Sequence, residues 1–279
     1  MAPPDARAAP PASMADDRIS RAFDYATQSF AVAAAEVEKL RHDPLELFTR
    51  AAQPVLWLML FGEVMAQVRG IAPGRESYLD FLAPGILAQS VLFVAIFYGI
   101  SAIWERDLGV LQRYLVSPAP RSALVIGKAV SASVRALSQA VIVYLLALAL
   151  GVDIDLNPAS ILGAAAAAAI AVGSALFSTF SLIIACIVKT RERFMGIGQV
   201  LTMPIFFASN AIYPLSLMPG WLRVIAHLNP LTYEVDALRT LMLSAGQSDY
   251  GLLLDFGVLL GTVAILTLIA ARLYARMGY

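Results

Sequence analysis

Two histidines, His42 and His227, and one cysteine, Cys186, are the only imidazole and thiol side chains in a chain of 279 residues. Zinc hydrolysis through an H-E-x-x-H helix needs two histidines one turn apart, and these are distant in sequence. A single thiol excludes a disulfide framework and a multi-thiolate metal site; Cys186, inside a long apolar run, reads as packing. Nucleotide phosphates are cradled by G-x-x-x-x-G-K-[ST], and Gly127-Lys128 lacks the preceding glycine and follows a proline loop, not a strand. The densest charged set is Glu105-Arg106-Asp107, continuing through Arg113 to Arg121, between two apolar runs. It has no histidine and no paired carboxylates facing the membrane, so it suits recognition of another protein better than acid–base chemistry on a lipid. Ionisable residues within apolar runs are functional candidates by default. Arg135 stands close enough to the end of its run to snorkel, and Glu63 and Asp255 read as interfacial groups that could instead ring an external gate.

The elements that must position these groups are set by composition. Hydrophobic residues make up 59% of the chain and charged residues 14%, against about 25% charged in an ordinary soluble domain. A single water-soluble globule is excluded on that ground. Twenty basic and twenty acidic residues give zero formal net charge, so no basic field exists to gather nucleic acid.

Residues 1–20, rich in Ala and Pro, read as a disordered cytosolic tail. Over 21–44, Ala26, Phe30, Ala33, Val37 and Leu40 recur at helical spacing before Pro44, which predicts an amphipathic helix at the membrane surface. The transmembrane region is expected over 45–279, with six spans near 48–68, 81–104, 123–151, 158–188, from 194, and 252–273, each judged against the ~20 residues that cross a bilayer core. Asn157 and Pro158 suit the cap and first turn of the fourth. Pro204, Pro214, Pro219 and Gly220 interrupt the fifth, and breaks at membrane depth need protein or a watery cavity around them. A broken or re-entrant pair of short helices is therefore expected over 209–239. Fifteen Lys and Arg fall on the side of both termini and four on the other, excluding Arg135, so both termini are expected in the cytosol.

In the loop after the second span, a short helix would align Leu108, Leu111 and Leu115 before Pro118 and Pro120 stop it. It reads either as a lever pressed into a groove of another protein or as a solvated loop. Ala164 to Ala169, flanked by Gly163 and Gly173, offers a smooth surface for close helix approach. Phe93, Phe97, Tyr98, Phe206 and Phe207 either line an apolar substrate path or face lipid and core.

The run E-R-D-x-G-V-L-x-R-Y-L-V-S-P-x-x-R from Glu105 to Arg121, followed by Gly127-Lys128, resembles the cytosolic motif of ABC-2 type transporter permeases, including those of daunorubicin/doxorubicin resistance and nodulation-factor export. Leu228-Asn229-Pro230-Leu231-Thr232-Tyr233 with Asp236-Ala237-Leu238-Arg239, and Tyr213-Pro214 before Pro219-Gly220-Trp221-Leu222, resemble the stretches before the last span of the same permeases. The likeness covers residues 25 to 275. It implies an all-α integral membrane fold of the ABC-2 (type V) exporter kind, with an interfacial connecting helix, a cytosolic coupling helix and short re-entrant outer helices. Glu105, Arg106, Asp107, Gly109 and Arg113 would then contact or orient an ATPase subunit, and Pro118 and Arg121 would set the return into the third span. Pro214, Pro219, Asn229 and Pro230 would belong to the outer gate.

The resemblance further implies two ATPase copies carrying ATP and Mg, no cofactor on this chain, and a second permease copy or a sister permease. The expected activity is export of a hydrophobic or amphipathic drug or lipid across the inner membrane, with lipid-linked oligosaccharide export as the alternative. Two other classes are weighed against it: an ion-gradient-driven transporter, which predicts charges at mid-membrane and two related halves, and a lipid-modifying enzyme.

Overall fold

A computed structural model describes residues 49, 52–66, 77–108, 121–154, 161–188, 190–244, 246 and 248–274. The tail, the expected surface helix over 21–44, most of the charged loop (109–120), and Asn157 with Pro158 lie outside these residues. The described elements are helical. α1 covers 52–66 and contains a π-helical stretch, Trp57–Phe61. It is followed by α2 (Tyr78–Tyr98), α3 (Ile100–Asp107), α4 (Arg121–Ala149), α5 (Ile161–Ile187) and α6 (Arg191–Phe207). A 3₁₀ turn, Leu215–Leu217, leads to α7 (Gly220–Leu228), α8 (Pro230–Met242) and α9 (Leu252–Tyr274).

Among the described residues, four helical stretches are long and apolar enough to cross a membrane: Tyr78–Asp107, Val125–Ala149, Ile161–Ile187 and Leu252–Leu273. They coincide with the second, third, fourth and sixth expected spans. The stretch corresponding to the fifth, α6, has 17 residues, about 25 Å at 1.5 Å each, against a hydrocarbon core of about 30 Å. In α1 the apolar stretch is Ala52–Phe61.

Helix α5 is the hub, in contact with α2, α4, α8 and α9. Its small side chains explain this, since Ala166 and Ala169 are buried and let neighbouring backbones approach. Gly163, Ala166, Ala169 and Gly173 of the alanine and glycine stripe thus pack within the protomer, whereas Ala164 and Ala168 are exposed. Glycine also permits close approach at the bend between α2 and α3, where a Cβ on Gly99 would strike the Ser181 hydroxyl. That hydroxyl donates to the Ile96 carbonyl, which offsets the interrupted ladder.

Helix α2 starts with a capping box. Ser77 accepts from the Leu79 N–H at 3.3 Å, and Asp80 accepts from the Ser77 N–H at 3.2 Å. Helix α4 stops at Gly151, whose φ of +81° is the left-handed conformation glycine adopts without strain.

Candidate functional site

The polar groups gather at the two ends of the bundle. At the loop end, Glu105 and Asp107 come from α3, Lys128 from the start of α4 and Arg191 from the start of α6. Lys128 Nζ lies 2.6 Å from both Glu105 oxygens, with the two side chains 15% and 28% exposed. Asp107 Oδ2 accepts from Arg191 Nη2 at 2.9 Å and Nε at 3.1 Å, and Arg106 Nη2 lies 3.4 Å from Asp107 Oδ1. The Arg191 guanidinium also stacks 4.3 Å from the Trp104 ring centroid. The Glu105 and Asp107 carboxylates are therefore engaged within the chain, and they hold the root of the charged loop to α4 and α6. Leu108, the last residue before that loop, is 70% exposed. Gly109, Arg113 and Pro118 lie outside the described residues; Arg121 opens α4, and its side chain is outside them too.

Further into the bundle on the same side, Arg135 stacks 5.5 Å from the Tyr98 ring centroid. Phe93 and Phe97 stack on each other at 6.1 Å.

The opposite end is built around α8. Asn229 caps it by accepting from the Leu231 N–H at 3.0 Å, and Pro230 occupies the first turn, where no N–H is needed. The Asn229 amide also donates to the carbonyls of Ile205 at 2.6 Å and Ala208 at 3.0 Å. One side chain thus joins the end of α6 to the start of α8. On α7, Arg223 donates to the carbonyls of Leu215, Ser216 and Met218, which secures the 3₁₀ turn after Pro214. Pro219 is the N-cap of α7. The four residues expected at an outer gate therefore lie within one helix–turn–helix unit.

An apolar groove of about 620 Å³ opens beside this unit, lined by Phe207, Tyr213, Trp221, Asn229 and Pro230 among others. Phe206 does not reach it. This ring is wholly buried, 5.5 Å from Trp57 and 5.4 Å from Phe207. The five aromatics form two groups: Phe207 reaches the groove, whereas Phe97 approaches α6 at Gly198.

Helix α8 buries three ionisable side chains, Glu234, Asp236 and Arg239. Asp236, fully buried, accepts from the Ser248 hydroxyl at 2.6 Å, the Asp249 N–H at 3.0 Å and the Tyr250 N–H at 3.2 Å. It thereby fixes the turn into α9. Arg239 donates to the Asn210 carbonyl at 3.0 Å and lies 4.0 Å from the Phe81 ring centroid. Glu234 is fully buried, with no hydrogen bond to either oxygen among the described residues. Asp255, in the first turn of α9, is fully buried beneath the 248–251 turn, with the Ser248 hydroxyl 3.5 Å from its Oδ2. No signal in the one-dimensional pattern distinguishes these carboxyls from exposed ones on an amphipathic helix.

The other contacts at this end fix the topology. Asp80 accepts from the Asp153 N–H at 2.9 Å, and the Ser244 hydroxyl donates to Asp153 at 2.9 Å. The start of α2, the end of α4 and the end of α8 therefore meet here, while the end of α3 and the starts of α4 and α6 meet at the loop end.

This all-helical permease architecture, with a charged loop at one end and a broken helix pair at the other, agrees with the sequence comparisons. The ABC-2 type transporter family matches residues 27–243. The ycf38 protein of Cyanophora paradoxa is 31% identical over 205 residues, which cover 73% of this chain and 70% of the relative. The daunorubicin resistance ABC transporter permease DrrB1 of Streptomyces coeruleorubidus is 28% identical over 235 residues, covering 84% and 81%. Nodulation protein J of Rhizobium leguminosarum bv. viciae is 26% identical over 227 residues, covering 81% and 85%. The chain belongs to the ABC-2 type transporter family, as a multi-pass membrane permease.

Proposed function

We propose that this chain is the permease subunit of an ATP-driven exporter, working as two permease copies, or a permease and its sister, with two ATPase subunits. Its place is the inner membrane, with the loop end and both termini in the cytosol. In this reading α1 and α6 complete six spans, and α7 and α8 enter and leave the outer side as a re-entrant pair. The cargo is a hydrophobic or amphipathic drug or lipid, or in the alternative a lipid-linked oligosaccharide. The observation that carries the reading is the convergence of Glu105, Lys128, Asp107 and Arg191 at the root of one charged loop. Such a braced root lets force on the loop reach both α4 and α6. ATP binding to the ATPase dimer would bias the permease between two states through this contact.

The test is to co-purify the permease with its ATPase subunit and measure substrate-stimulated hydrolysis and transport for the Gly109 and Glu105 variants. Unchanged values in both would sink the coupling assignment. One observation favours a second reading, in which an ion gradient drives transport: Glu234, Asp236 and Asp255 are buried carboxyl groups. Transport that persists without ATP and collapses with the proton gradient would select it.

A further inference from the structure

The charged loop and the groove at the opposite end are joined by α6, which is attached at both ends and lightly held between. Its buried residues are Phe194, Gly198, Thr202 and Phe206. These recur every four positions, so α6 contacts the bundle along one narrow stripe, flanked by the partly buried Leu201 and Ile205. Phe194 and Phe206 anchor its two ends, and between them the stripe is smooth. Thr202 turns its hydroxyl back onto its own helix at the Gly198 carbonyl, and a Cβ on Gly198 would meet only ordinary contacts at 3.5 Å from Ile96 and 3.9 Å from Phe97. Between the two buried rings, a narrow seam of glycine and threonine resists sliding and rolling weakly.

The polar attachments are at the ends. At one, Arg191 holds Asp107 and stacks on Trp104, both on α3 at the root of the charged loop. At the other, the Asn229 amide holds the carbonyls of Ile205 and Ala208 and at the same time caps α8. A displacement of Asp107 is thus passed to α6 by a two-point contact, and from α6 to α8 by another.

We infer that α6 is the strut that carries motion from the charged loop to the outer helix pair, with Arg191 as the positioning residue at its cytosolic end. This rests on the ATP-driven reading above. The Asp107–Arg191 pair is about 40% exposed on each side, so its contribution to stability is small, on the scale of surface pairs. Its use lies in registering α3 against α6, and changing it alters transmission more than folding.

The test uses the full permease with its ATPase in liposomes, with Cys186→Ala as background and nitroxides on Val200→Cys and Leu253→Cys, both exposed sites, on α6 and α9. Electron-resonance distances are compared between nucleotide-free and vanadate-trapped states. The background protein is expected to shift on trapping, Arg191→Asp to lose the shift, and Asp107→Arg with Arg191→Asp to recover it. ATPase stimulation should follow the same order, with a loss of about three- to tenfold in the single variant, the scale of one exposed pair with a stacked guanidinium. Arg191→Gln, neutral and mild on an exposed surface, serves if charge reversal prevents purification. A full shift in the Arg191 variant overturns the inference. So does an unshifted background protein that still binds its ATPase, which leaves the proposed function standing. Failure of the background protein to bind any ATPase overturns the function itself.

Discussion

Gly173 on α5 faces the carboxyl group of Glu234 on α8, and Gly173→Ala is the sharpest probe of that contact. A Cβ at 173 would overlap the carboxyl carbon and both oxygens of Glu234, roughly 1 Å inside ordinary van der Waals separation, where repulsion rises steeply. The end of a glutamate usually yields to such an intrusion. Here the residue is wholly buried in the interface of α8 with α5 and α2, so relief requires an off-rotamer side chain or a shift of α8. Overpacking of this kind costs about 1–3 kcal/mol. At about 2–4 °C per kcal/mol, a loss of 2 kcal/mol lowers the melting midpoint by about 4–8 °C. The assay is the thermal midpoint of the detergent-solubilised protein, followed by size-exclusion chromatography after heating. Glu234→Ala in the Gly173→Ala background removes the colliding group while supplying a methyl in its place, and should restore most of the loss. A parental midpoint for Gly173→Ala, or no recovery in the double variant, would refute the claim that glycine is required by the buried carboxyl.

Asn229→Ala removes the cap of α8 and the donor to two α6 carbonyls. It should cost about 1–3 kcal/mol and raise hydrogen exchange at the ends of α6 and α8, and unchanged exchange would contradict the linkage. Asp236→Ala leaves the N–H groups of Asp249 and Tyr250 without their carboxylate acceptor, so proteolysis in the 248–251 turn should rise; a cleavage rate equal to the parent would count against the clamp.

Much of this organisation is legible in one dimension, for reasons that differ by element. Four long helices follow from long apolar runs with few charges, because a chain in lipid must satisfy its backbone internally. The Asn229-Pro230 break is visible since one residue caps and the other cannot donate. The motif from Glu105 also marks the end of the bundle where charges converge. The roles within that motif were not legible. Glu105 and Asp107 are assigned by Lys128 and Arg191, which lie 23 and 84 residues away, and such pairings leave no local pattern. The same holds for Phe206, whose burial beneath Trp57 and Phe207 is indistinguishable by type from the exposure of its neighbour.

The sequence by itself determined the solvent and the helical class of the chain, because these depend on composition and run length. Only the tertiary structure decided which charges are buried and what they hold. Glu234, Asp236 and Arg239 sit on a helix that would pass for a surface one. They are interior because α2, α5 and α9 close around it, and burial is a property of neighbours, which no single segment carries.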